Sequence, residues 1–264
     1  MSPYWRQIAF VAVGLWFLGA SDVQADAEVD LALVLAVDVS RSMDPDEQEL
    51  QRQGFVDAFR SPLVHDAIHS GMLGRIAVTY MEWSGETSQT VVVPWMIIEG
   101  PEGAVEFADR LERAPIARIF QTSISGAIDF SVRLLKGSGT EPVRQVIDIS
   151  GDGPNSSGRT VTSARDEAVA RGITINGLPI MLKRPRGPGE IEDLDIYYRD
   201  CVIGGPGAFL VPVRERLQFA EAIKTKIIRE IAARPSESRV HRAQTGTPID
   251  CTTRGGNYWR YQGP

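Results

Sequence analysis

The chain has 264 residues, of which 43% are hydrophobic and 23% are charged, and its formal net charge is −6. This hydrophobic content supports a sizeable core, which excludes a chain that is disordered throughout. The negative charge argues against a nucleic-acid-binding protein, because such proteins carry a basic patch or stripe.

The first 25 residues are typical of a secretory signal peptide. Arg6 precedes an apolar run, Ile8–Ala20, and Val23–Ala25 supplies small residues for cleavage. The run is too short to cross the hydrocarbon core of a bilayer, so an uncleaved anchor is disfavoured, and no later segment is long enough to span. We therefore expect residues 1–25 to be removed and the mature chain to be periplasmic or secreted.

Strand and helix patterns alternate along the first half of the chain. A continuous apolar run, Leu31–Val37, predicts a strand that is buried on both faces. Asp44 and Pro45 then supply a cap residue and a first-turn proline for a helix that ends at Pro62. The next predicted elements are, in order, a strand at Arg75–Trp83, an edge strand interrupted by Pro94 (Thr90–Val93 and Met96–Ile98) and a helix at Glu102–Glu112.

The second half continues the alternation. Apolar side chains recur at helical spacing between Thr122 and Gly137, which places Thr122 at a helix entrance. Val143–Ile149 predicts a strand, and the turn residues after it place Asp152 just beyond the strand end. The remaining predicted elements are, in order, a helix at Val161–Arg171, a strand at Ile173–Ile180, an irregular segment at Lys183–Gly207, a strand at Ala208–Val213, a helix that carries Phe219, Ile223, Ile227 and Ile231, and a tail at residues 234–264.

This alternation indicates one α/β domain, residues 26–233, with a doubly wound, mostly parallel central sheet and helices on both faces. In such sheets, ligands bind outside the carboxyl ends of the strands. We expect Asp38, Thr122 and Asp152 to meet there, since each follows a strand or precedes a helix. The two cysteines should form a Cys201–Cys251 disulfide in an oxidising compartment, with free thiols or an intermolecular bridge as the alternatives.

Two carboxylates and three hydroxyls form an oxygen-only set of candidate metal ligands. Oxygen ligands suit a hard divalent cation such as Mg²⁺, with Mn²⁺ or Ca²⁺ as alternatives. An ordinary strand-to-helix turn, in which such side chains cap backbone amides, is the competing interpretation. Ser123 or Ser125 could replace Thr122 as the third hydroxyl. The set comprises Asp38, Ser40, Ser42, Thr122 and Asp152.

Asp38-Val39-Ser40-Arg41-Ser42 after a first strand, Thr122 before a helix and Asp152-Gly153 after a later strand together resemble the von Willebrand factor type A domain. The resemblance covers about Val29–Ala233. Partly through Tyr197–Gly207, the chain also resembles a secreted bacterial type A family without assigned function.

The resemblance implies a metal-ion-dependent adhesion site. The hydroxyls of Ser40, Ser42 and Thr122 would touch the ion. The carboxylates of Asp38 and Asp152 would bind it through water or exchange with that water. The chain departs from the family pattern at one position, because Gly151 stands where a threonine usually precedes the aspartate, so one neighbouring hydroxyl is missing.

A cation with few charged direct ligands stays electrophilic and keeps a position for a further carboxylate. We therefore expect an exported, cation-dependent protein-binding module whose partner offers an acidic residue. The alternatives are a metal-dependent hydrolase on the same scaffold and a degenerate type A domain that binds without metal. We expect no enzyme, because no Ser-His-Asp order and no Gly-x-Ser-x-Gly motif is present.

Two further patterns receive a structural interpretation. His65 and His69 have the i, i+4 spacing of a zinc motif, but Asp66 replaces the general-base glutamate and His241 is far along the chain, so we expect a solvated helix end. A second set of side chains, the arginines near the motif pieces, would form a basic rim that steers an acidic partner, although solvated surface arginines are the preferred interpretation. These arginines are Arg41, Arg118 and Arg159.

Overall fold

The structure is a computed structural model, and it describes residues 26–117, 121–183, 191–233 and 249–252. The predicted signal peptide lies outside these ranges, as does most of the predicted tail. No helix within the described ranges is long and apolar enough to cross a membrane.

In the described part of the chain, five strands form one sheet in the order β3-β2-β1-β4-β5. β1 pairs in parallel with β2 and β4, β4 pairs in parallel with β5, and β3 is an antiparallel edge strand. The strands are β1 (Ala27–Asp38), β2 (Ile76–Trp83), β3 (Gln89–Ile98), β4 (Thr140–Gly151) and β5 (Ile173–Pro179). The predicted α/β class with a mostly parallel sheet is confirmed.

Seven α-helices in the described ranges cover the two faces of this sheet. α1, α2, α3 and α7 pack on one face, and α4, α5 and α6 pack on the other. The helices are α1 (Pro45–Arg60), α2 (Pro62–His69), α3 (Pro101–Arg113), α4 (Ile124–Lys136), α5 (Val161–Val169), α6 (Leu194–Tyr197) and α7 (Phe219–Ala232).

The central strand β1 supplies both cores. Leu33 and Leu35 face the core under α1 and α7, whereas Val34 and Ala36 face the core under α4 and α5. Successive side chains of a strand point to opposite faces, so an unbroken apolar run is what a strand covered on both sides requires. This packing fixes the position of Asp38, the last residue of β1.

Two helices, α2 and α6, were not predicted. Pro62 was expected to end a helix, but it also begins α2, because a proline in the first turn lacks only an N–H that would have no intrahelical partner. Val64 and Ile68 bury one side of α2. His65 is half-buried and its Nε2 lies 2.7 Å from the carbonyl oxygen of Phe59, while His69 is exposed.

Two other predictions about the elements were wrong. β3 continues through Pro94, because an edge strand tolerates a residue without an N–H and the pairing with β2 shifts register nearby. The predicted strand at Ala208–Val213 is reduced to isolated bridges. Within the segment predicted to be irregular, α6 is followed by a π-helical turn at Tyr198–Val202.

Candidate metal centre

Asp38 is fully buried at the carboxyl end of β1. Its Oδ1 accepts a hydrogen bond of 2.7 Å from the amide of Ser40. Its Oδ2 is also buried and has no hydrogen-bond partner within the described ranges. Burial raises the pKa of Asp38 well above its usual range, the negative charge of Asp152 raises it further, and the Ser40 amide opposes the shift. Among the described residues, no positive charge compensates this carboxylate.

A chain of hydroxyls joins Asp38 to the protein surface. Ser40 is buried, and its Oγ shares a hydrogen bond of 2.8 Å with the Oγ of the exposed Ser42. The Ser42 hydroxyl donates to Asp152 Oδ1 at 2.6 Å, although the two residues are 110 positions apart. The structure thus brings both carboxylates and the first two hydroxyls of the predicted set together at one edge of the sheet.

Asp152 follows β4 directly and is half-buried. Burial raises its pKa to about 6, while the Ser42 hydroxyl and the charge of Lys183 act in the opposite direction. The pKa values of both neighbouring carboxylates are raised because each charge is buried near other negative charge. A divalent cation would neutralise this negative charge, and the donor set of carboxylate and hydroxyl oxygens fits a hard ion.

Lys183 is a charged neighbour that the sequence did not reveal. Its Nζ donates to the carbonyl oxygen of Ser42 at 2.8 Å and pairs with Glu47 Oε2 at 2.6 Å and Asp44 Oδ2 at 3.3 Å. Glu47 is 2% exposed, and it accepts a hydrogen bond of 2.9 Å from the amide of Asp44 at the start of α1. Lys183 therefore ties the segment after β5 to the loop that carries Ser42, where the sequence predicted only an irregular segment.

Thr122 lies in the loop before α4 and is joined to the Asp152 loop through its backbone. Its carbonyl oxygen accepts from the amides of Ser156 at 2.8 Å and Ser157 at 3.2 Å. The cap of α4 is Ser123, whose Oγ accepts from the amide of Gly126 at 3.2 Å. The Ser123 hydroxyl is engaged in this cap, and the ligand role of Thr122, with Ser123 or Ser125 as the alternatives, stays a prediction.

Asn155 fastens the same two loops and was missed because nothing in a Gly-Pro-Asn turn indicates a long-range contact. Its Oδ1 accepts from the amide of Ser125 at 2.9 Å, and its Nδ2 donates to the carbonyl oxygen of Arg159 at 3.0 Å. Its amide donates to the hydroxyl of Tyr197 at 3.2 Å. The loop that carries Asp152 is therefore held against the start of α4.

The structure shows the partners of one of the three arginines that were considered as a basic rim, Arg159. Arg159 pairs with Asp129 at 2.6 Å and with Glu167 at 2.5 Å, so its guanidinium is committed to neighbouring helices. Arg118 lies outside the described residues, and Arg41 is exposed. Lys183 is a cation that contacts the loop of the Asp-x-Ser-x-Ser motif, through the carbonyl oxygen of Ser42.

The predicted disulfide is confirmed, with Cys201 bonded to Cys251 across a Cα–Cα distance of 5.5 Å. Cys201 is buried in the turn Tyr198–Val202, and the partner segment Ile249–Thr252 packs on the α4 side of the sheet. The bond therefore fixes the turn that follows Tyr197, close to the candidate metal centre.

Within the described ranges, no group of three or more His, Cys, Asp or Glu side chains is placed to hold a metal ion. The candidate centre has two carboxylates, and its other donors are hydroxyls. Its metal-ligand roles accordingly remain predictions.

The chain has a mostly parallel sheet whose central strand ends in Asp-x-Ser-x-Ser. Both features are typical of the von Willebrand factor type A fold. The chain belongs to the family described as "Protein of unknown function (DUF1194)", whose profile matches residues 28–235. No curated protein sequence matches the chain significantly.

Solved structures are similar to this chain in fold. The pilus adhesin SpaC of Lactobacillus rhamnosus GG is 12% identical with a TM-score of 0.56, and the match covers 77% of this chain and 31% of the adhesin. A von Willebrand factor type A protein of Catenulispora acidiphila is 13% identical with a TM-score of 0.51, covering 77% and 43%. Proximal thread matrix protein 1 of the mussel byssus, with a zinc-occupied MIDAS motif, is 13% identical with a TM-score of 0.50, covering 77% and 47%. This chain spans less than half of each of these chains.

Proposed function

We propose that the protein is an exported, divalent-cation-dependent protein-binding module, in which the cation bridges to a carboxylate of a partner protein. The observation that carries this proposal is the buried Asp38 carboxylate, whose Oδ2 has no partner in the described structure and whose neighbour Asp152 is also negative. Burying an uncompensated charge is costly, so a fold that maintains one at a loop edge is suited to binding a cation.

Five side chains would hold the ion, with Mg²⁺ as the first expectation and Mn²⁺ or Ca²⁺ as alternatives. The hydroxyls of Ser40 and Ser42 would serve as direct ligands together with that of Thr122. Asp38 and Asp152 would balance the charge. When bound, the ion supplies Lewis acidity for a partner's carboxylate.

The pocket beside Ser42 is lined by charges of both signs, since Glu47 and Glu192 line it as well as Lys183 and Arg214. A pocket of about 210 Å³ adjoins Ser42 and Asp152, and two of its lining residues, Lys183 and Arg214, are cationic. Lys183 is 38% exposed and Arg214 is 52% exposed. Both cations pair with carboxylates, Lys183 with Glu47 and Arg214 with Asp195, so the attraction of an acidic partner would come mainly from the bound ion. Apolar side chains, among them Ile180 and Leu194, line the rest of the pocket.

Export is supported by the disulfide, because such bonds persist in oxidising compartments. The similarity to a pilus adhesin and to a byssal matrix protein with a zinc-occupied site is compatible with adhesion outside the cytoplasm. No observation favours the hydrolase alternative.

Calorimetric titration of the purified protein with Mg²⁺ and Mn²⁺ tests the proposal. We expect one saturable site in the wild type and none in Asp38→Ala. Asp30→Asn is the matched control, because Asp30 lies in the same strand at its opposite end, where its carboxylate accepts from the amide of Leu73 at 3.0 Å. A wild type without saturable binding of either ion would sink the proposal and favour the degenerate alternative.

The bridging role is tested by capture of partners from the source cells. Wild-type protein with Mg²⁺ should retain proteins that are released by a chelator, and Asp38→Ala should retain none of them. Partners that bind both proteins equally, with or without chelator, would contradict metal bridging.

A further inference from the structure

A side chain at position 151 would crowd both Asp38 and Tyr198. A Cβ on Gly151 would lie 2.9 Å from Asp38 Oδ2, 3.2 Å from Asp38 Cβ and 3.0 Å from the hydroxyl oxygen of Tyr198. Asp38 Oδ2 and the Tyr198 hydroxyl oxygen are polar atoms, one from the end of β1 and the other from the turn after α6. The departure from the usual Thr-Asp-Gly pattern therefore has a steric cause, since the hydroxyl of Tyr198 reaches the space that a threonine would need.

The Tyr198 hydroxyl is a buried group that no contact described above uses. Tyr198 is 0% exposed, and its hydroxyl has no hydrogen-bond partner in the described ranges. Burial raises the pKa of this phenol well above its usual range, and the negative charges of Asp38 and Asp152 raise it further. A phenol is protonated at neutral pH, so the Tyr198 hydroxyl is a hydrogen-bond donor beside an acceptor, Asp38 Oδ2, that also has no partner in the described structure.

We propose that Tyr198 is a positioning residue of the metal centre: its hydroxyl donates to Asp38 Oδ2 across Gly151, directly or through one water. It thereby supplies, from the turn after α6, the hydroxyl that position 151 lacks. Buried polar atoms are costly without a partner, and a single bridging water satisfies both groups when they are not in direct contact.

The turn that carries Tyr198 is anchored on both sides. Cys201 is bonded to Cys251, and Arg165 donates to the carbonyl oxygen of Asp200 at 2.8 Å. The ring of Tyr198 also lies against Gly177 of β5, where an added Cβ would meet Tyr198 Cδ1. A rigid support of this kind is what a residue needs if it is to orient a ligand.

The effect of Tyr198 on metal affinity rests on the proposed function, whereas its contact with Asp38 does not. A double-mutant cycle without metal tests the contact alone. In chelator, Tyr198→Phe should lower the urea midpoint of the wild type and leave the midpoint of Asp38→Ala unchanged. An equal shift in both backgrounds would show that the hydroxyl acts without Asp38 and would overturn the inference.

Tyr197→Phe is the matched control, because the Tyr197 hydroxyl bonds the amide of Asn155 and should shift both backgrounds equally. If Asp38→Ala does not fold, Asp38→Asn serves as the second background. There the shift caused by Tyr198→Phe should shrink to less than half, and an undiminished shift would overturn the inference.

Titration with Mn²⁺ provides the second readout. Tyr198→Phe should weaken Mn²⁺ binding about tenfold, as loss of an outer partner of a metal ligand usually does, while Tyr197→Phe should weaken it less. Unchanged affinity in Tyr198→Phe would contradict the positioning role. A wild type that binds no Mn²⁺ would refute the proposed function, and the metal-free cycle would still decide whether Tyr198 serves Asp38.

Discussion

Replacing Asp38 with asparagine should stabilise the protein when no metal is present. Asparagine has nearly the same shape, and its carbonyl oxygen keeps the acceptor for the Ser40 amide, which now donates to Asp38 Oδ1 at 2.7 Å. The substitution removes a buried charge whose pKa is raised by burial and by Asp152. Binding sites often carry such a cost in stability.

The magnitude follows from two opposing contributions. The substitution removes a buried negative charge beside Asp152, and relief of its desolvation cost, about 1–3 kcal/mol for a buried polar group, favours asparagine. Exchange of a charged acceptor for a neutral one weakens the bond from Ser40 by about 0.5–1 kcal/mol. We therefore expect a net gain of about 1–2 kcal/mol in the free energy of unfolding.

Urea unfolding at pH 8 in chelator measures the stability of each protein without metal, and the same experiment in saturating Mg²⁺ measures the stabilisation by the ion. The wild type should gain about 2.7 kcal/mol at a Mg²⁺ concentration 100 times the dissociation constant, and Asp38→Asn should gain little. Asp30→Asn, at the other end of β1, should be destabilised and should keep the full response to Mg²⁺. An Asp38→Asn protein that is less stable than the wild type in chelator, or equally stabilised by Mg²⁺, would refute the reasoning.

Three further predictions concern the surroundings of the site. The pKa of Asp152 in the folded state, about 6, lies above its ordinary value of 3.8. The contribution of this group to stability is therefore fully present below pH 3.8 and is lost as pH rises through 6. The metal-free urea midpoint of the wild type should therefore fall between about pH 4 and 6 relative to that of Asp152→Asn, and saturating Mg²⁺ should remove the fall. Parallel midpoints would contradict this. The Cys201–Cys251 bond closes a separation of 50 residues, and its reduction should lower the free energy of unfolding by up to about 4 kcal/mol. The double variant Cys201→Ser, Cys251→Ser should show the same loss and should no longer respond to reductant. Asn155→Ala removes two side-chain hydrogen bonds that hold the Asp152 loop, and it should lower the free energy of unfolding by about 1–3 kcal/mol. It should also weaken Mg²⁺ binding in calorimetry. An unchanged affinity would show that this loop is held by other contacts.

The sequence predicted the elements whose patterns are local. Leu31–Val37 is apolar without a break, and it forms the strand that is covered on both faces. Asp44-Pro45 begins α1 as a cap residue and a first-turn proline usually do. Because Asp38 and Asp152 each follow such a strand, their meeting at one edge of the sheet could also be predicted.

The contacts that complete the site could not be predicted, because they join residues that are distant in sequence. Lys183 reaches the carbonyl oxygen of Ser42 across 141 positions, and Asn155 reaches the amide of Ser125 across 30. Neither residue has a spacing that indicates a partner. The role of Tyr198 depends on the space above Gly151, which exists only once β1, β4 and the turn after α6 are packed together.

The most direct test of the central claim is a crystal structure of the full protein grown with Mn²⁺, with anomalous diffraction used to locate the ion. The account predicts a manganese peak in contact with the hydroxyls of Ser40 and Ser42, with Asp38 and Asp152 beside it. A protein saturated with Mn²⁺ that shows no peak at these residues, or a peak elsewhere only, would contradict the account.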